Sequence, residues 1–164
     1  MPPERRDPTK AADWLRRARS NLARAKALAD LPDMIYEDAC FDAQQAAEKA
    51  IKAILVHTQV PFPKTHSISA LLQLCADCGI VVQPHLLEAT ILTDYAVEAR
   101  YPGLLEDVTE EEYDRAINLA DRLFSWAEAL VLADSFSKEE TTAGPKTTDE
   151  LKNEKQNGSQ TPDQ

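Results

Sequence analysis

A chain of 164 residues is long enough for one domain with a hydrophobic core and a short tail. Its formal net charge of -10 at pH 7 argues against binding to nucleic acid through a broadly basic surface, but it leaves room for a small site with local positive potential. Residues 1–6 are polar, which argues against a signal peptide, and no long apolar run predicts a transmembrane helix. We therefore expect a cytoplasmic protein without membrane contact.

The composition favours helix over strand, because the chain has only four glycines and is rich in Ala, Leu, Glu, Lys and Arg. Apolar residues at spacings of three and four predict five helices. The first is expected to start at residues 7–9 and to end at residues 31–33, with an apolar face that includes Trp14 and Leu22. Its other face carries a basic stripe of Arg16, Arg17, Arg19, Arg24 and Lys26.

The second predicted helix runs from Met34 to about His57 and carries a stripe of mostly small residues. Because small side chains let a partner helix approach closely, we expect this helix at the centre of a bundle. Its polar residues are interpreted most simply as exposed and ion-paired at helical spacing. The stripe comprises Ile35, Ala39, Ala43, Ala46, Ala50 and Ala53, and the polar set comprises Gln44, Gln45, Glu48, Lys49 and Lys52.

Three further helices are predicted after a break at residues 60–63. The third is short and ends at Gly79, and the fourth begins at Pro84 and runs to Arg100. Thr109 and Glu112 form the capping-box pattern that starts the last helix. The expected core faces are Ile68, Leu71, Leu72 and Cys75 in the third helix, Leu87, Ile91 and Tyr95 in the fourth, and Tyr113, Ile117, Ala120, Phe124, Ala127 and Val131 in the last.

Charge is unevenly distributed, with a basic first helix and nine acidic residues between residues 106 and 134. The simpler interpretation places these surfaces beside each other in the bundle, and the alternative is a bipolar surface for self-association or for a partner. We expect an N-terminal arm at residues 1–8, a helical domain at residues 9–135 and a disordered polar tail at residues 136–164.

No cofactor or metal site is predicted. Cys75 and Cys78 have the spacing of a metal or redox motif, but no second Cys or His pair completes a zinc site. The pair also ends a helix rather than following a strand, so a structural role is the expectation.

The segment at residues 98–103 joins the last two helices and holds an Arg-Tyr pair against a helix break. Pro102 biases Tyr101 away from the helical region, and Gly103 permits a tight backbone after it. Arg100 and Tyr101 are thereby expected to present a charge and a phenol to one place.

Three blocks in order, at residues 41–55, 65–72 and 94–103, resemble those of a HEPN domain (higher eukaryotes and prokaryotes nucleotide-binding). The resemblance implies an all-α, up-and-down bundle of four to five helices, commonly dimeric and often encoded beside a minimal nucleotidyltransferase. Some such pairs act as toxin and antitoxin, with the HEPN protein as an RNase. Nuclease members have a His that is separated from the Arg by four to six intervening residues, and at these positions this chain has Leu105, Glu106 and Asp107.

Without that His, the chain lacks the expected proton-transfer group, since an ordinary guanidinium clamps phosphate but does not shuttle protons. His66 is the one plausible replacement; it would otherwise cap the third helix or form hydrogen bonds within the fold. The resemblance also implies that Lys49 or Lys52 meets phosphate and that Glu48 orients Arg100, although Arg100 could simply be a structural ion-pair partner. The candidate ligand-binding residues are Arg100, Tyr101, Tyr95, His66, Lys49, Lys52 and Glu48, and the candidate catalytic residues are Arg100 and His66.

Three functional hypotheses follow from the sequence. The first is a homodimeric, non-catalytic module that pairs with a nucleotidyltransferase and binds nucleotide or RNA phosphate. The second is a metal-independent RNase toxin with an altered catalytic set. The third is an interaction protein without a ligand. The missing His favours the first and third over the second.

Overall fold

The computed structural model describes the backbone at residues 9–28, 31–96 and 107–140, and the side chains up to residue 133. It contains helices α1 (Ala11–Leu28), α2 (Tyr36–His57), α3 (Ile68–Asp77) and α4 (Glu110–Glu140), with a 3₁₀ helix at Pro84–Ala96 between α3 and α4. Within these ranges there is no strand, and no helix is long and apolar enough to cross a membrane. The predicted all-α bundle is confirmed.

Helix α2 lies at the centre of the bundle and contacts every other helix. Its stripe is buried, with Ala43, Ala46, Ala50 and Ala53 each 0% exposed, so neighbouring backbones can approach it closely. The prediction is wrong only at Ile35, which precedes the helix and is 56% exposed. The core is completed by Leu15 and Leu22 of α1, Ile68, Leu71 and Leu72 of α3, and Leu119 and Leu123 of α4.

Helices α2 and α3 both end in Schellman motifs. After α3, the amide of Gly79 donates to the Ala76 carbonyl and that of Ile80 to the Cys75 carbonyl, both at 3.0 Å. After α2, the amide of Gln59 donates to the Val56 carbonyl at 3.1 Å and that of Val60 to the Leu55 carbonyl at 2.8 Å. The motif needs a left-handed residue, and the φ angles are 84° at Gly79 and 59° at Gln59.

The fourth predicted helix differs from expectation in its winding and its buried face. Leu87 is 50% exposed, whereas Leu86, Ala89 and Leu92 are buried. A 3₁₀ helix has three residues per turn, so residues three apart align and the face predicted from α-helical spacing is displaced. β-Branched Thr90, Ile91 and Thr93 lower the preference for α-helix in this segment.

Helix α4 begins as predicted at a reciprocal capping box. The Thr109 amide donates to Glu112 Oε2 at 2.8 Å, and the Glu112 amide donates to Thr109 Oγ1 at 3.2 Å. The helix continues to Glu140, past the domain boundary expected at residue 135. Residues 1–8 and 141–164, which include the predicted arm and most of the predicted tail, lie outside the described residues.

The opposite charges of α1 and α4 are neighbours in the bundle, as the simpler interpretation predicted. Arg19 forms an ion pair with Glu128, and Lys26 Nζ lies 2.6 Å from Asp121 Oδ1. The Arg19 guanidinium also lies over the Phe124 ring, 5.5 Å from its centroid. These contacts are exposed, so each adds little stability.

The three cysteines are free, and their environments differ. Cys40 and Cys75 are buried, and burial raises the pKa of each thiol to about 12. Cys78 is exposed at the end of α3. A redox Cys-x-x-Cys pair requires a thiol of lowered pKa, so the raised pKa of Cys75 supports the structural role expected for this pair.

The two Schellman motifs predict opposite effects of glycine at their left-handed positions. Gln59→Gly should raise the free energy of unfolding by about 1 kcal/mol, because a side chain disfavours this backbone conformation. Gly79→Ala should lower it by about 1 kcal/mol, from backbone strain alone, since nothing lies within 4 Å of an added Cβ. Urea unfolding monitored by circular dichroism measures both. Equal signs for the two variants would contradict the assignment.

Candidate functional site

A cluster of polar side chains lies inside the bundle on one face of α2. Gln44 is 0%, Glu48 4% and Lys52 7% exposed. The interpretation of the α2 polar set as exposed is therefore wrong for these three residues. Their spacing of four does place them in a row, as expected, but the row faces the loop before α3 rather than solvent.

Glu48 is the centre of this cluster and accepts hydrogen bonds from three side chains. Lys52 Nζ lies 2.6 Å from Oε1, while Gln44 Nε2 and His66 Nδ1 lie 2.9 and 3.0 Å from Oε2. Burial alone would raise the pKa of Glu48, but the hydrogen bonds from Lys52, Gln44 and His66 outweigh it and lower the pKa below its ordinary value. Glu48 is thus a buried carboxylate held in its charged form.

Lys52 is enclosed by the protein on several sides. Besides Glu48, its ammonium donates to the Thr65 carbonyl at 3.1 Å. It also lies 5.8 Å from the Trp14 ring centroid and 5.6 Å from that of Phe62. These contacts replace water around the buried cation, which makes Lys52 a structural group rather than one that reaches out to a phosphate.

His66 joins the buried cluster to the surface. Its side chain is 66% exposed, and Nδ1 is held at Glu48. The predicted hydrogen bonding of His66 within the fold is confirmed, but Ser67 is the residue that caps α3, accepting from the Ala70 amide at 3.2 Å. When Nδ1 donates to the carboxylate, Nε2 of the neutral ring is an acceptor, and it has no protein partner among the described residues.

Lys49 does not join this cluster, although it is next to Glu48 in sequence. Its Nζ lies 2.6 Å from Asn21 Oδ1 of α1. Burial lowers the pKa of Lys49, partly offset by the charge of Glu48. The structure thus brings Glu48, Lys52 and His66 together and places Lys49 in a separate groove.

Of the remaining candidates, Tyr95 lies within the described residues and the other two do not. Tyr95 is half-buried, and burial raises the pKa of its phenol to about 12, so the hydroxyl stays protonated at neutral pH. Arg100 and Tyr101 lie outside the described residues. Within residues 9–28, 31–96 and 107–133, no three His, Cys, Asp or Glu side chains lie close enough together to bind a metal ion.

Sequence reasoning missed a second buried acid, Asp42, which is 2% exposed. It accepts from Asn21 Nδ2 at 2.6 Å and pairs with Arg24 Nη2 at 3.0 Å. The available signal was its spacing, three residues after Ala39 and four before Ala46, which places it on the face of the small-residue stripe. A carboxylate on a buried face requires donors from a neighbouring helix.

The comparisons with known proteins agree with this architecture. The family model described as "HEPN domain" matches residues 11–130. The chain belongs to the HEPN domain family. The matched residues span α1 to most of α4, so this HEPN domain contains the whole Glu48 cluster.

Two solved structures resemble this HEPN domain. ST0689, an archaeal HEPN homologue, is 30% identical with a TM-score of 0.57, over 74% of this chain and 98% of that one. TT1696 from Thermus thermophilus is 35% identical with a TM-score of 0.63, over 73% of this chain and 97% of that one. Among curated proteins no significant match is found.

The Glu48–Lys52 pair yields a stability prediction. Glu48→Gln should lower the free energy of unfolding by about 3 kcal/mol, because it leaves the buried Lys52 cation without its counter-charge. Glu48→Gln with Lys52→Met removes both charges and should recover part of that loss. Urea unfolding at pH 7 tests this. A double variant less stable than the single variant would contradict it.

The lowered pKa of Glu48 also predicts how stability depends on pH. A carboxyl whose folded pKa lies below its unfolded pKa, about 4.3, stabilises the fold fully above that value. The contribution is lost as the pH falls from there through the folded pKa. Glu48→Gln should therefore lose less stability than the parent protein between about pH 5 and pH 3. Parallel pH profiles for the two proteins would contradict this assignment.

Proposed function

We propose that this HEPN protein is a cytoplasmic, non-catalytic, homodimeric module that pairs with a minimal nucleotidyltransferase and binds a nucleotide or RNA phosphate. The observation that carries the proposal is His66, an exposed imidazole held by the buried carboxylate of Glu48. When the ring is protonated both of its nitrogens donate, so Nε2 can donate a hydrogen bond to a phosphate while Nδ1 stays at Glu48, and the ring is already held in one orientation. Arg100 and Tyr101 are the proposed partners of His66 in this binding.

A binding role is favoured over catalysis because the charged groups of the cluster are already bound to other groups of the protein. Glu48 accepts three internal hydrogen bonds, and Lys52 is enclosed by Glu48, the Thr65 carbonyl and two aromatic rings. Both charges therefore stabilise the fold and are not free to transfer protons to or from a substrate. Cleavage of RNA needs a base and an acid, and the sequence has Leu105, Glu106 and Asp107 where a nuclease member has its His.

A second candidate function, a metal-independent RNase toxin of a toxin–antitoxin pair, is favoured by the same His66. A carboxylate on Nδ1 fixes the tautomer in which Nε2 accepts a proton, which is the arrangement of a general base. In this mechanism Nε2 would take the proton of the 2′-hydroxyl, and Arg100 would hold the phosphate. The leaving oxygen would still require an acid. The third candidate remains an interaction protein without a ligand.

Binding and cleavage assays on one set of variants separate these functions. His66→Ala should weaken ADP binding on the order of tenfold, since a charge-assisted hydrogen bond is removed, and Arg100→Ala should act similarly. His85→Ala, an exposed His on the 3₁₀ helix, is the matched control and should change little. Isothermal titration calorimetry measures affinity, and a labelled RNA in EDTA measures cleavage.

Each outcome selects a function. Robust cleavage that disappears in both His66→Ala and Arg100→Ala would establish the RNase and reject the binding module. If Arg100→Ala unfolds the protein and ADP does not bind the parent chain, the interaction protein without a ligand is the remaining function.

The proposed homodimer has its own test. Light scattering at micromolar concentration should give a mass twice the 18.2 kDa of one chain. A dimer that dissociates on dilution agrees with the proposal. A monomer at every accessible concentration would remove this part of it.

A further inference from the structure

The basic stripe of α1 divides between two sides of the helix. Arg19 and Lys26 meet the acids of α4. The other three cations line the opposite edge, where α1 meets α2, together with a lysine from α2. They enclose an open groove of about 340 Å³, lined by Arg16, Arg17, Ser20, Asn21, Arg24 and Lys49.

The floor of this groove is a built hydrogen-bond network rather than a set of free side chains. Buried Asp42 accepts from Asn21 at 2.6 Å and from Arg24 at 3.0 Å. Asn21 in turn accepts from Lys49 at 2.6 Å. Arg24 and Lys49 are thereby held in place, so an anion that binds them pays little of the usual cost of ordering long side chains.

The groove has more positive than negative charge. Four cations line it, and the acids that meet them are Asp42 and Asp13, the latter 3.3 Å from Arg16. Arg17 has no ion pair among the residues that the structure describes. Burial lowers the pKa of Lys49 most; the charges of Glu48 and Asp42 act against this, and those of Arg17 and Arg24 add to it, so a bound anion would relieve the repulsion from the two arginines.

The length of the groove decides what kind of anion fits. Arg16 and Arg24 lie about 12 Å apart along α1, at about 1.5 Å per residue. A mono- or diphosphate group is shorter than this span and meets the cations at one end only. Successive phosphates of a strand can meet both ends. A groove of about 340 Å³ has room for one strand but not for a duplex.

We propose that the groove between α1 and α2 binds the phosphate backbone of a single-stranded polynucleotide. The lining offers cations, a hydroxyl and an amide, which are groups that contact phosphate and sugar, so recognition is independent of base sequence. This site goes beyond the proposed function, because it uses other side chains than the His66 site and binds a polynucleotide whether or not that site binds a nucleotide.

Charge reversal tests the groove in the full-length protein. Fluorescence anisotropy with a labelled oligouridylate of about 12 nucleotides should detect binding at about 50 mM salt, weakening with salt at a log–log slope between about −1.4 and −2.8, for two to four phosphates. Arg16→Glu with Arg17→Glu, both exposed, should lower the affinity at least about tenfold. Arg115→Glu with Arg122→Glu makes the same charge change at exposed positions of α4 and should lower it less than about threefold.

Further arms identify the ligand and separate the two sites. Equal affinity for RNA and DNA strands supports binding of the phosphate backbone in the groove. A preference for RNA also supports it and would indicate an additional contact with the 2′-hydroxyl. Equal losses in both charge-reversal variants, or no binding by the parent protein, would overturn it. ATP that binds the groove as tightly as the strand would make it a nucleotide site instead. Loss of strand binding in His66→Ala but not in Arg16→Glu with Arg17→Glu would overturn the groove and leave the proposed function standing.

Discussion

A buried ion pair between Glu48 and Lys52 determines how the elements around α2 meet. Each charge would be costly inside a helical core, and each is compensated by contacts from elsewhere in the chain: Glu48 by His66, and Lys52 by the rings of Trp14 and Phe62. The pair therefore holds the first turn of α1 and the loop before α3 against the central helix. The position of His66 at the surface follows from this arrangement.

Much of the fold could be predicted from residue spacing and terminal motifs. The alanine stripe, the capping box at Thr109 and the helix stop at Gly79 each depend on interactions a few residues apart, which are visible in sequence. The segment from Pro84 was harder, because spacings of three and four look similar over thirteen residues. Its 3₁₀ winding buries Leu86 where α-helical spacing pointed to Leu87.

The candidate site could be predicted only as a list of residues. Gln44, Glu48 and Lys52 follow one another at intervals of four, the pattern of an exposed ladder of charges. Their burial depends on partners distant in the chain, such as His66, which periodicity does not report. For the same reason, two residues adjacent in sequence belong to different sites: Glu48 contacts His66 in the loop before α3, and Lys49 contacts Asn21 of α1. An acidic protein thereby keeps a small basic surface.

The unequal cysteines have a practical consequence for chemical modification. The thiolate is the form that attacks maleimides and iodoacetamides, and the raised pKa values and burial of Cys40 and Cys75 keep both thiols protonated and shielded. Cys78 is the accessible sulfur, next to the left-handed turn that ends α3. The native protein can thus be labelled with a fluorophore or spin label at Cys78 alone. Labelling of Cys40 or Cys75 would report that the core had opened.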